Sequence, residues 1–170
     1  MAANPLDVIS EDHLRERQIC AAIDGLAMAA FPDRQAAQTV LRFLDGELNV
    51  HLRDEVEDLF PLLARRCTAE DSIESTIGRI RSDQDEVIRL LPEVRAVLAG
   101  CLVSGPGLSV EDRALLTLFA GRVRRHLVAE NAILIPIARA RLTRSDLRVL
   151  AKRMQVRRGL SSIQETGNAE

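Results

Sequence analysis

Apolar residues along this chain recur every three or four positions and do not settle into alternation, so the pattern predicts α-helices throughout. The first helix starts at Asn4, an N-cap followed by Pro5 at N1 and Asp7 in the first turn, and runs to about Met28. Phe31-Pro32-Asp33 breaks it, and Asp33 is the next N-cap. The second helix runs from about Arg34 to about Arg66, with Leu44, Leu48, Leu52, Leu59 and Leu63 on its apolar face. It tolerates Gly46 at a cost of roughly 1 kcal/mol. The third helix runs from near Glu70 to near Gly100, with Ile73, Ile77, Ile80, Val87, Ile88 and Leu91 as its stripe and Pro92 as the place for a kink. Val103-Ser104-Gly105-Pro106-Gly107 is the clearest loop. A fourth helix opens with Ser109 as N-cap and Asp112 at N3 and extends to about Leu142. Thr143 and Asp146 then start a short fifth helix through Met154. Four long helices with short connections predict an all-α fold, an up-down-up-down antiparallel four-helix bundle with a short C-terminal fifth helix. No linker divides the chain. Residues 1–158 are expected to form one domain, and residues 159–170 a polar tail that frays.

Composition narrows the function. The 170 residues carry a net charge of -2, which argues against nucleic acid as a partner. There are four Phe but no Trp or Tyr, so base-stacking platforms and tyrosyl radicals are excluded. No apolar run approaches the length of a membrane span. The opening MAANPLDVIS has neither a basic stretch nor an apolar core, which predicts a cytoplasmic protein. Cys20, Cys67 and Cys101 form no C-x-x-C, read best as free thiols, and leave no attachment site for c-type haem.

Two segments repeat. His51-Leu-Arg-Asp-Glu55 with Pro61, and His126-Leu-Val-Ala-Glu130 with Pro136, both read H-L-x-x-E-x-x-x-L-x-P. A spacing of four puts His and Glu on one helical face, one turn apart, where imidazole and carboxylate can reach the same cation. An ordinary surface pair explains one such motif, but not two set in apolar stripes on different helices. Counting from the expected helix ends, His13, His51, Gln84 and His126 each fall 14–17 residues from a shared end, so all four lie on one layer midway along the bundle. Buried carboxylates without cations are costly, and imidazole with carboxylate suits iron, manganese or zinc. Two glutamates favour a pair of metals over one. The ferritin-type Glu-x-x-His is absent, since Ser10, Leu48 and Val123 stand three residues before the histidines.

With these residues in hand, the chain resembles the hemerythrin-like (HHE cation-binding) domain over about residues 5–159. The family pattern of a His on helix 1, H-x-x-x-E on helix 2, a His on helix 3 and H-x-x-x-E on helix 4 carries over as His13, His51 with Glu55, and His126 with Glu130. Flanking agreement comes from Asp12, Leu59-Phe60-Pro61, Asn131 and Arg157-Arg158-Gly159. The resemblance implies a centre of two non-haem iron ions bridged by Glu55 and Glu130, with a single iron, zinc and manganese as open alternatives. Helix 3 departs from the pattern, because Gln84 stands where the family has His. An amide oxygen is a weak ligand. One metal would keep His13 and His51, while the other keeps His126 with Gln84 or water, at lower affinity.

The expected small ligand is dioxygen, nitric oxide or peroxide, and binding or sensing is favoured over catalysis because every His is taken as a ligand. If the protein is an enzyme, the expectation is peroxide or dioxygen chemistry at iron. A metal-poor bundle acting as a sensor or protein-interaction module is the alternative that Gln84 motivates. Glu47 and Arg122, one turn before the motif histidines, read equally as a pair orienting the ligands or as rim charges. Arg124 and Arg125 read as a solvated face.

Overall fold

The computed structural model describes residues 4–103 and 107–159. The predicted loop tip 104–106 and the predicted tail beyond Gly159 lie outside the described residues. Those described residues are helical, with no strand among them. The elements are α1 (Pro5–Met28), α2 (Arg34–Asp45), α3 (Glu47–Arg53), a π turn (Asp54–Leu59), α4 (Phe60–Arg66), a 3-10 turn (Ala69–Asp71), α5 (Ile73–Gly100), α6 (Val110–Ala129), a second π turn (Glu130–Leu134), α7 (Ile135–Arg141) and α8 (Arg144–Arg157). No helix among the described residues is long and apolar enough to cross a membrane.

The start signals act as predicted. Asn4 accepts from the Leu6 N–H and Asp33 from the Gln35 N–H. Ser109 with Asp112, and Thr143 with Asp146, form reciprocal capping boxes. Pro92 sits inside α5 without ending it.

The second predicted helix is not continuous. It breaks at Gly46, whose φ of -119° and ψ of -78° lie off helical values. It then widens into the π turn at Asp54–Leu59. The same widening follows His126 in the fourth predicted helix. In both copies of the repeat a backbone N–H reaches back five residues, Phe60 to Glu55 and Ile135 to Glu130. Each of these residues is followed by the repeat's proline, Pro61 or Pro136. Proline cannot donate, and its ring crowds the carbonyl four residues back. One extra residue in the turn relieves that crowding, so the proline accounts for the π turn, a feature common at functional sites.

α1, α2, α5 and α6 contact one another in a closed ring, each touching two of the others along its length. The core falls into two apolar clusters. One gathers Ile23, Leu44, Leu48, Val94 and Phe119, and the other Leu6, Ile9, Leu63, Ile80 and Leu134. Between them sit seven of the buried polar residues: His13 and Glu16 on α1, His51 on α3, Glu55 in the first π turn, Gln84 on α5, His126 on α6 and Glu130 in the second π turn.

Candidate metal centre

All six residues expected from the sequence converge on this layer, and each is at most 2% exposed. Ligand atoms of His13, His51, Glu55 and Glu130 lie within 4.8 Å of one another. His13 Nε2 is 3.5 Å from Glu55 Oε1 and 3.3 Å from Glu130 Oε2. The His13 and His51 rings meet edge to face at 5.0 Å. His51 Nε2 lies 3.7 Å from Glu55 Oε1.

The imidazoles are aimed from behind. Asn131 donates to the Leu127 carbonyl, which leaves its Oδ1 to accept from His13 Nδ1 at 3.1 Å. Asp12 Oδ2 stands 3.5 Å from His51 Nδ1. Partners of this kind fix the tautomer and leave Nε2 facing inward. Asp12 is itself held by Arg158. Burial would raise the Asp12 carboxyl, but the bonds to His51 and Arg158 outweigh it and bring its pKa down to about 2.

Gln84 takes a different part from the one expected. Its Nε2 donates to Glu55 Oε2 at 2.7 Å and to Glu130 Oε1 at 3.3 Å, while its Oε1 has no hydrogen-bond partner. The amide thus presents N–H to both carboxylates, on the oxygens that do not face His13.

Glu16 is the residue the sequence reading missed. It is 1% exposed, with Oε1 3.1 Å from His51 Nε2 and Oε2 3.5 Å from His126 Nε2. The signal was present: Leu6, Ile9, Cys20 and Ile23 line one stripe of α1, and His13 and Glu16 fill the gap in it. Screening for Glu-x-x-His overlooked the reversed order, His-x-x-Glu.

Electrostatics follow from this crowding. Burial disfavours a charged His51 ring, yet Glu16 and Glu55 outweigh it and raise its pKa well above the usual value. Burial also pushes Glu55 up, but the surrounding imidazoles, His51 foremost, bring it below the ordinary range. Glu130, desolvated and beside the charged Glu55, is driven well above it. Many inward atoms have no hydrogen bond: His13 Nε2, His51 Nε2, both nitrogens of His126, both oxygens of Glu16, Glu55 Oε1 and Glu130 Oε2. Buried groups of this kind cost free energy when left unpaired. Nitrogen and carboxylate donors left open on one layer fit a divalent first-row metal.

Two expectations at the rim are settled. Glu47 and Arg122 do not pair with each other: Glu47 pairs with Arg15 at 2.8 Å, and Arg122 with Glu86 at 2.9 Å. They are rim charges. Arg124 and Arg125 pair with Asp24 and Asp83. A surface cleft of about 700 Å3, lined by Phe31, Pro32, Val97, Cys101 and Leu108 among others, includes none of the candidate ligands.

A helical protein with a buried His/Glu cluster that could hold a cation is thus defined. The family model described as the hemerythrin HHE cation-binding domain matches residues 4–138, most of the chain, and the chain belongs to that family. No curated protein matches it.

Proposed function

We propose that the protein binds non-haem iron at this layer and presents it to a small ligand of the dioxygen, nitric oxide or peroxide class. The observation that carries the reading is the meeting of His13, His51, Glu55 and Glu130 ligand atoms within 4.8 Å, with inward atoms left unpaired. We read the ring of helix contacts as the antiparallel up-down-up-down bundle, with α8 as the short fifth helix. The free cysteines support a cytoplasmic setting.

Two irons are the occupancy we favour, with Glu55 and Glu130 shared between them. When bound, the metal supplies the affinity for the small ligand and any redox chemistry. The chain's own residues do the rest. His13, His51 and His126 offer nitrogen, Asn131 and Asp12 hold two of the rings in place, and the flanking apolar clusters exclude water. Every buried imidazole faces the layer, so none is left as a free acid or base, which favours binding or sensing over turnover. The Gln84 N–H directed at both shared carboxylates supports a second reading, a single metal or none in a sensor or interaction module.

Elemental analysis of protein from iron-replete cells, with an absorption scan, tests the two. About two irons per chain, lost in Glu55→Ala, supports the first. One metal or fewer supports the second.

A further inference from the structure

Within the described residues, the buried carboxylates divide into two kinds. Asp54, Asp58, Asp83 and Asp146 are each paired with arginine. Glu16, Glu55 and Glu130 have no arginine; each faces imidazoles, Glu130 lies beside Glu55, and the Gln84 amide donates to the last two. Glu16 is the extreme case. Both of its oxygens are buried without a hydrogen bond.

Its geometry is that of a connector. One oxygen is directed at Nε2 of His51 and the other at Nε2 of His126, so the carboxylate spans the gap between the two repeat motifs. His126 is otherwise stranded: it stands outside the tight group of His13, His51, Glu55 and Glu130, and neither of its nitrogens is bonded. α5 supplies nothing better, because Gln84 offers an N–H to the shared carboxylates. α1 therefore contributes two inward groups, three residues apart on one face, where the sequence pattern accounts for only one.

We propose that Glu16 is a metal ligand, a third carboxylate that joins a divalent cation on the His51 side of the centre to one held by His126. This rests on the metal-binding reading above. It makes the second position a carboxylate-rich one, served by Glu16, Glu130 and His126, and independent of any ligand from α5. A carboxylate there suits a hard or borderline divalent cation such as Fe(II), Mn(II) or Co(II).

The test is titration of the full, chelator-stripped chain with Co(II), followed by equilibrium dialysis and by the visible ligand-field bands. Wild type is compared with Glu16→Gln, which keeps shape and removes charge. The expected result is that Glu16→Gln loses one equivalent of Co(II), or binds it at least about tenfold more weakly, the lower end of what losing even an outer-shell partner costs. The ligand-field bands should shift, and the metal-free variant should keep the helical circular-dichroism signal of wild type. Unchanged stoichiometry with less than a tenfold change in affinity overturns the proposal and leaves the metal reading standing. So does weaker binding with the ligand-field bands unchanged, which marks Glu16 as a structural partner of the imidazoles. Wild type that takes up no Co(II) refutes the metal reading itself, a result distinct from both.

Discussion

Arg158 donates to Asp12 at 2.6 Å, and the same Asp12 oxygen lies 3.5 Å from His51 Nδ1. A residue at the end of α8 thereby helps to orient a ring in the layer. The arrangement is part of a larger clamp, in which Arg153, Arg157 and Arg158 also hold Asp54 and Asp58 of the first π turn. Glu55 follows Asp54 in the same turn. The fifth helix therefore supports the site as well as covering it.

Removing that support should weaken the metal without changing its stoichiometry. Asp12→Asn and Arg158→Ala are each expected to lower metal affinity by about 10–100-fold. Competition with a chromophoric chelator measures this. Identical affinity in Asp12→Asn would show that the carboxylate does not orient His51.

Gln84 makes a prediction in the metal-free state. Its amide is the N–H donor for Glu55 Oε2 and Glu130 Oε1. Gln84→Leu keeps the volume close but leaves both acceptors dry and unpaired, which costs about 1–3 kcal/mol for an orphaned buried group. The urea midpoint of the metal-free variant should fall accordingly, with an unchanged slope. Gln84→His should act oppositely on the metal and tighten the weaker equivalent, because an imidazole supplies the ligand atom that the amide N–H does not.

Much of this site was legible from residue spacing. The two H-x-x-x-E motifs and the level of His13 follow from 3.6-residue periodicity, and the structure puts all of them on one layer. What escaped was of two kinds. Glu16 escaped because it stands alone on the apolar stripe of α1, outside the repeated H-x-x-x-E motif. The π turns escaped because periodicity assumes a constant turn, although the prolines that produce them were in the repeat. The Gly46 break was discounted because a glycine's cost inside a helix is small, whereas here the backbone leaves helical values.

Asp146 carries the pH prediction. It accepts from the Arg66 guanidinium at 2.8 Å and closes the capping box with Thr143. The bond to Arg66 foremost, then those to Thr143, holds its carboxyl well below the ordinary range. A depressed carboxylate stabilises the fold fully above its unfolded value, near pH 4, and that stabilisation is lost as pH falls towards the folded value. Asp146→Asn should therefore cost about 1 kcal/mol at neutral pH, the usual size for a lost cap. The gap to wild type should close progressively below about pH 4. Urea unfolding of both proteins between pH 3 and 7 measures it, and a gap that stays constant across that range would remove Asp146 ionisation as its cause.

Metal removal should expose the cost of the polar layer. The unpaired imidazole and carboxylate atoms sit between two apolar clusters, where each uncompensated charge is expensive. A cation that binds only the folded chain adds about 2.7 kcal/mol when its free concentration is 100 times its dissociation constant. For a chain of this length each kcal/mol moves the thermal midpoint by about 2–4 °C. Loading with Fe(II) under anaerobic conditions should thus raise the midpoint by roughly 5–10 °C, and a chelator should return it to the starting value. His51→Ala and Glu55→Gln should abolish most of the rise, while Arg124→Ala, which breaks only the pair with Asp24 outside the layer, should keep it. A rise of equal size in Glu55→Gln would place the bound metal somewhere other than this layer, and the assignment of the centre would fail with it.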